Sequence, residues 1–129
     1  MIELAGPKSG ETMADLGSGD GRILIAFGKK GIVAHGYELD PILVEKSQSD
    51  IERENLTNKA FVHKEDFWEK DLPSFDIITI YPMPDIMNTL EEKLQKELDP
   101  ATRVLLNYYP FTKTKPKIAK NNIYLYQFD

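Results

Sequence analysis

The run Asp15-Leu16-Gly17-Ser18-Gly19-Asp20-Gly21-Arg22 sets an acidic residue and three alternate glycines between a buried-strand pattern and a helix pattern. Alternate glycines allow a sharp turn that brings backbone amides against a ligand with no side chain in the way. A helix from about Asp20 to Lys29 would point its positive N-terminal end at the same ligand. A dinucleotide fingerprint needs a third Gly or Ala at position 22, and arginine stands there instead. Two further acids fall at the ends of apolar runs. Glu38, with Leu39 beside it, follows the glycines at about the spacing at which a carboxylate meets two ribose hydroxyls. Asp66, next to Phe67, can accept from an exocyclic adenine amine while the phenyl ring walls the base. Alone, Asp66 also reads as a cap for Phe67-Trp68-Glu69.

Positioning these groups requires an alternation of strands and helices, which argues for a mostly parallel sheet flanked by helices. Strands are expected at Glu11 to Leu16, Ile32 to Glu38, Lys59 to Glu65, Phe75 to Ile80 and Thr102 to Tyr109. The fourth is nearly continuously apolar and therefore central. Asp40-Pro41 is a helix start, with Asp as N-cap and Pro in the first turn, and the helix runs to about Asn55. Ile86, Leu90, Leu94 and Leu98 form one stripe of another helix. No helix follows the fifth strand. Thr114 to Ala119 and Ile123 to Phe128 read as two short strands joined by Lys120-Asn121-Asn122, which would pair antiparallel. In an open sheet of this kind ligands bind at the carboxyl ends of the strands, where all three acids fall.

The composition narrows the chemistry. The chain has 129 residues, 41% hydrophobic and 29% charged, as expected for one globular domain over residues 1–129. It contains no cysteine, so disulfides, thiolate metal sites and thiolate catalysis are excluded and a cytoplasmic setting is the default. No apolar stretch approaches a membrane span, so no membrane partner is expected. The net charge of −5 argues against a nucleic-acid partner, which needs a basic face. His35 and His63 lie inside strands with no partner at metal-ligand spacing. They read as structural, and no metal is expected.

The glycine loop resembles the cofactor loop of class I S-adenosylmethionine (SAM) methyltransferases, and Glu38 and Asp66 extend that likeness strand by strand. The likeness goes further in Gly36-Tyr37-Glu38-Leu39-Asp40-Pro41, in Leu90-Glu91-Glu92-Lys93-Leu94-Gln95-Lys96-Glu97-Leu98 and in Thr102-Arg103-Val104. Together these resemble the small archaeal protein-lysine methyltransferases, whose relatives are the mitochondrial enzymes that methylate the ATP synthase c-subunit and the adenine nucleotide translocase. The resemblance runs from about Glu11 to Phe128, including the short C-terminal hairpin. It implies a Rossmann-like fold, SAM as cofactor and N-methylation of lysines exposed on a protein partner. The cofactor contacts it implies fall on Asp15, Gly17, Ser18, Gly19, Gly21, Glu38, Leu39, Asp66 and Phe67. The ten residues ahead of Glu11 are expected to be too few to replace the upstream segment that covers the cofactor in the relatives.

Methyl transfer to an amine is an in-line displacement at an activated carbon, so the protein mainly positions and desolvates the nucleophile. The end of the fourth strand, Ile80-Tyr81-Pro82-Met83-Pro84-Asp85, stands where the amine must enter. Tyr81 is the candidate lining of the methyl-transfer channel, the two prolines are expected to fix the loop, and Asp85 reads as a helix beginning. Enzymes acting on planar amino groups carry (Asn/Asp)-Pro-Pro-(Tyr/Phe) here, and metal-assisted O-methylation needs an acid; Tyr81 fits neither. Tyr108, Tyr109 and Phe111 are further candidates for substrate contact. Tyr124, Tyr126 and Phe128 are expected to pack along an edge strand, and Trp68 to pack locally. The alternatives to lysine methylation are a SAM-binding module with little catalysis and a small-molecule N-methyltransferase.

Overall fold

A computed structural model of the chain describes residues 1–81 and 83–128. Seven strands form one sheet: β1 (Thr12–Leu16), β2 (Val33–Tyr37), β3 (Ala60–His63), β4 (Ile77–Ile80), β5 (Arg103–Asn107), β6 (Ile118–Lys120) and β7 (Ile123–Tyr126). Their order is β3-β2-β1-β4-β5-β7-β6. The first five run parallel, and β7 joins antiparallel to both β5 and β6. The chain winds outward from β1 to β3 and then returns to β4. That reversal places the topological switch between β1 and β4, and their carboxyl ends open a crevice there.

Both central strands are buried through Ile77–Ile80 and Met13–Leu16, because each is covered on both faces. One face carries α1 (Ile2–Ala5), α2 (Arg22–Gly28) and α3 (Pro41–Arg53), which pack Ala5, Leu24, Phe27 and Ile51 against Met13, Ala34 and Ile77. The other carries α4 (Met87–Glu97), whose Leu90, Leu94 and flanking Leu98 meet Ile78, Ile80, Val104 and Leu106. The expected α4 stripe therefore holds. The four-residue α1 has too little apolar periodicity to be read from sequence. Its Ala5 is buried under the sheet.

Local chemistry sets the ends of the elements. The Asp40 carboxylate accepts from the Ile42 amide at 2.9 Å, with Pro41 at the first helical position of α3. Thr114 to Lys117 does not join β6 as expected. Pro116 has no amide to give a ladder, and the Thr114 hydroxyl is held by Glu91 at 2.6 Å. Asn121 and Asn122 both take left-handed φ values, 52° and 63°, which makes the β6–β7 connection a two-residue hairpin turn. The expectation of an edge role for the last aromatics is corrected. β7 lies inside the sheet, and Tyr126 and Phe128 are buried in the α4-side core. The Tyr126 hydroxyl accepts from the Phe111 amide at 2.9 Å. Phe111 is buried with them rather than turned toward a substrate. His35 and His63 meet across β2 and β3 with Nδ1 and Nε2 2.9 Å apart, in a stack continued by Phe61 and Tyr37. Each is thus the other's partner. Among the described residues no helix is long and apolar enough to cross a membrane.

Candidate active site

Four parallel strands deliver their C-terminal residues to one cleft. After β1, Gly17 and Gly19 turn with φ of 77° and 58°, values that β-carbon-bearing residues rarely adopt. The Gly17 and Ser18 amides donate to the Tyr37 carbonyl at 2.9 and 3.1 Å, which ties the loop to the end of β2. A Cβ on Gly17 would meet Tyr81 Cβ at 3.3 Å, so the glycine loop and the residue after β4 close on each other across the switch point. A Cβ on Gly19 would meet nothing within 4 Å; it faces open space.

Glu38 follows β2. One carboxylate oxygen accepts from the Gly19 amide at 2.8 Å and the other from the Asp40 amide at 3.0 Å. The first of these bonds ties the acid to the glycine loop. Asp66 follows β3 and accepts from the Trp68 amide at 3.1 Å, capping the 3-10 turn Phe67–Glu69, and it also lines the cleft. The cap reading of Asp66 is met, and the same residue stands on the cavity wall. Gly17, Gly19, Glu38, Leu39, Asp66, Phe67 and Tyr81 share a cavity of about 480 Å³ with Leu43, Trp68 and Met83.

A second cavity, about 760 Å³, continues past Gly17, Gly19, Leu43 and Tyr81 and is lined by Asp15, Ser18, Asp20, Thr79, Asn107, Tyr108 and Tyr109 among others. Asp15 is buried and accepts from the Thr79 hydroxyl at 2.7 Å. Burial, and secondarily the charge of Glu38, push its carboxyl up to about 7, against the downward pull of the Thr79 bond. The Ser18 hydroxyl is buried without a hydrogen-bond partner. Arg22, at the position where a dinucleotide fingerprint has glycine, pairs with Asp20 at 2.8 Å. Carboxylates outnumber cations along the two walls: Asp15, Asp20, Glu38, Glu65 and Asp66 against Arg22.

Of the cofactor contacts expected from sequence, Gly21 alone turns away. Its Cβ would come within 2.9 Å of the Ser47 hydroxyl, so the glycine is required where α2 crosses α3, outside both cavity walls. Ser47 in turn donates toward the Gly19 carbonyl at 3.0 Å. Sequence reasoning missed Thr79, which sits unremarked in an apolar strand, and Leu43 on α3. It also gave Trp68 and Met83 no part in the cleft. Met83 and Tyr81 flank Pro82, which lies outside the described residues. Asp85 stands in the turn leading to α4, away from both walls. Among the described residues no group of three or more potential metal ligands is gathered.

Comparison with known proteins gives this geometry a context. Residues 15–118 match the model of a family described as the ANTKMT methyltransferase domain. The chain is 39% identical over 105 residues to the human ATP synthase c-subunit lysine N-methyltransferase, covering 81% of this chain and 45% of that protein. It thus spans about half the length of the vertebrate relatives it matches. It is 32% identical over 119 residues to a protein-lysine N-methyltransferase of Saccharolobus islandicus, covering 91% of this chain and 74% of that one. An RNA methyltransferase from Salinibacter ruber, solved with S-adenosylhomocysteine (SAH), superposes with a TM-score of 0.89 at 27% identity, over 98% of this chain and 86% of that one.

Proposed function

Because the chain belongs to the ANTKMT methyltransferase domain family, we propose that it binds SAM in this cleft and methylates lysine side chains of a protein substrate. The observation that carries the reading is convergence. The glycine loop, Glu38, Asp66 with Phe67, and Tyr81 follow β1, β2, β3 and β4 and meet around one continuous cleft. The site fits the group. Gly19 opens onto free space, the Ser18 hydroxyl lacks a partner, and the acidic walls suit a positively charged ligand rather than an anionic dinucleotide.

In this reading Glu38, already fixed by two amides, takes the ribose hydroxyls with its remaining lone pairs. Asp66 takes the adenine amine, and Phe67 and Leu39 wall the base. Asp15 and the unpartnered Ser18 hydroxyl hold the amino-acid end. SAM supplies a methyl group on a positively charged sulfur, already activated toward displacement. The chain's remaining task is to present a neutral amine in line. A lysine amine titrates near 10.4, and an apolar, aromatic approach favours its neutral form. Tyr81, exposed between the two cavities, lines that approach. With SAM bound, the S–CH3 bond would break as the N–C bond formed, its electron pair passing to sulfur, and the methylated ammonium would give up its proton to solvent. Tyr81 and its neighbours would hold the amine in line. The absence of cysteine supports a cytoplasmic setting.

Isothermal titration of the wild type with SAM tests the reading. Micromolar affinity is expected, weakened about tenfold or more by Glu38→Ala, the equivalent of roughly 1.4 kcal/mol. Absence of heat at millimolar SAM, or unchanged affinity in the variant, contradicts it.

A further inference from the structure

Tyr108 is held in a conformation that tyrosine rarely adopts. Its φ is 70°, and the Tyr109 amide donates to the Asn107 carbonyl at 2.9 Å, so residues 107–109 form a tight γ-turn with a left-handed centre. This is the strained form of that turn, and a bulky residue there is an outlier. Asn121 and Asn122 show the residue type that takes a left-handed φ readily. The strain is not offset by burial, since the Tyr108 side chain is 63% exposed. The neighbouring hairpin holds the distortion in place: the Tyr108 amide donates to the Asn122 carbonyl at 2.8 Å, continuing the β5–β7 pairing past Asn107.

The distortion places two aromatic side chains at the second cavity. Tyr108 and Tyr109, the latter 54% exposed, line it together with Tyr81, 63% exposed. β4 and β5 are parallel neighbours, with Ile80 opposite Leu106, so the three tyrosines leave adjacent strand ends. Asp20 lines the same cavity but is paired with Arg22, so the rings and not the acids are what the mouth offers. An open aromatic mouth attracts a cation carried on an aliphatic stem, since ring faces bind ammonium groups and cover methylenes.

We infer that Tyr108 and Tyr109 are specificity-determining residues that, with Tyr81, receive the stem and ammonium of the target lysine at the mouth of the cleft. The inference rests on the lysine chemistry proposed above and adds the residues that select for it. The γ-turn aims the rings, and the Asn121-Asn122 turn, far along the chain, fixes the γ-turn.

Steady-state methylation of poly-L-lysine, with SAM varied separately, tests this. Tyr108→Gly removes the ring and relieves the backbone. Its midpoint of thermal unfolding is expected to equal or exceed that of the wild type, while KM for poly-lysine rises at least about tenfold. KM for SAM should rise far less than KM for poly-lysine, because Tyr108 shares the second cavity with Asp15 and Ser18 but is absent from the wall that carries Glu38 and Asp66. Tyr108→Phe keeps the ring and should restore most of the poly-lysine KM. Unchanged poly-lysine KM in Tyr108→Gly overturns the inference, as does a parallel rise in KM for SAM or a fall in unfolding midpoint. A wild type that binds SAM but transfers nothing to poly-lysine overturns the lysine reading itself, and this inference with it.

Discussion

Under the proposed reading, Asp15 is the residue at which stability and SAM binding pull apart. Its carboxyl is held near 7 by burial, about three units above its value in an unfolded chain. The folded state therefore binds the proton more tightly than the unfolded state. The stabilisation from this group is complete below about pH 4, falls as pH rises toward 7, and is gone above it. Asp15→Asn keeps the acceptor for the Thr79 hydroxyl and removes the charge. At pH 8 the variant is expected to be more stable than wild type by a few kcal/mol, with the difference vanishing near pH 4, as read by urea denaturation. SAM binding should move the other way: wild-type affinity rises through pH 7 as Asp15 ionises, and the variant's stays flat and weak. A variant less stable than wild type at pH 8 contradicts this account. Acids at strand ends could be read directly from sequence because polar residues closing apolar runs stand out. Thr79 could not, because its significance exists only through a carboxylate 64 positions away that the sheet brings to 2.7 Å.

At the scale of elements, Glu91 explains a stretch whose likeness to the family was plain and whose purpose was not. It is fully buried on α4 and accepts from the Thr114 hydroxyl at 2.6 Å and from the Lys113 amide at 3.2 Å. It thereby anchors the segment that replaces a helix between β5 and β6. Glu91→Ala takes the buried acceptor from two donors on the half-exposed 113–114 segment and is expected to cost about 1–2 kcal/mol in denaturant unfolding, with Glu91→Gln losing less. A loss below about 0.5 kcal/mol in Glu91→Ala would show that the segment does not depend on it. Periodicity identified β1 to β5, α2, α3 and α4 because each has a strong apolar repeat or a cap. It overran at the ends: β5 stops at Asn107, where Tyr108 turns left-handed, and β6 starts only after Pro116. Gly21 shows the other limit. Its type and spacing match a ligand loop, yet its lack of a side chain serves the crossing of α2 and α3.

At the scale of the molecule, strand order was not readable from sequence. The insertion of β7 between β5 and β6 decides that Tyr126 and Phe128 belong to the core, and only long-range pairing fixes it. The same pairing sets the Asn122 carbonyl against Tyr108 and so shapes the mouth of the cleft. The overall charge of −5 and the acidic cleft lack the basic face that RNA binding needs, and the acceptor proposed above is a lysine-bearing protein. The direct test is to incubate the protein with methyl-labelled SAM and native cell extract, separate protein from RNA, and hydrolyse each. Label recovered as Nε-methyllysine in the protein fraction, and lost with Glu38→Ala, is the predicted result. Label confined to RNA or to other amino acids, from a protein that binds SAM, would contradict the account.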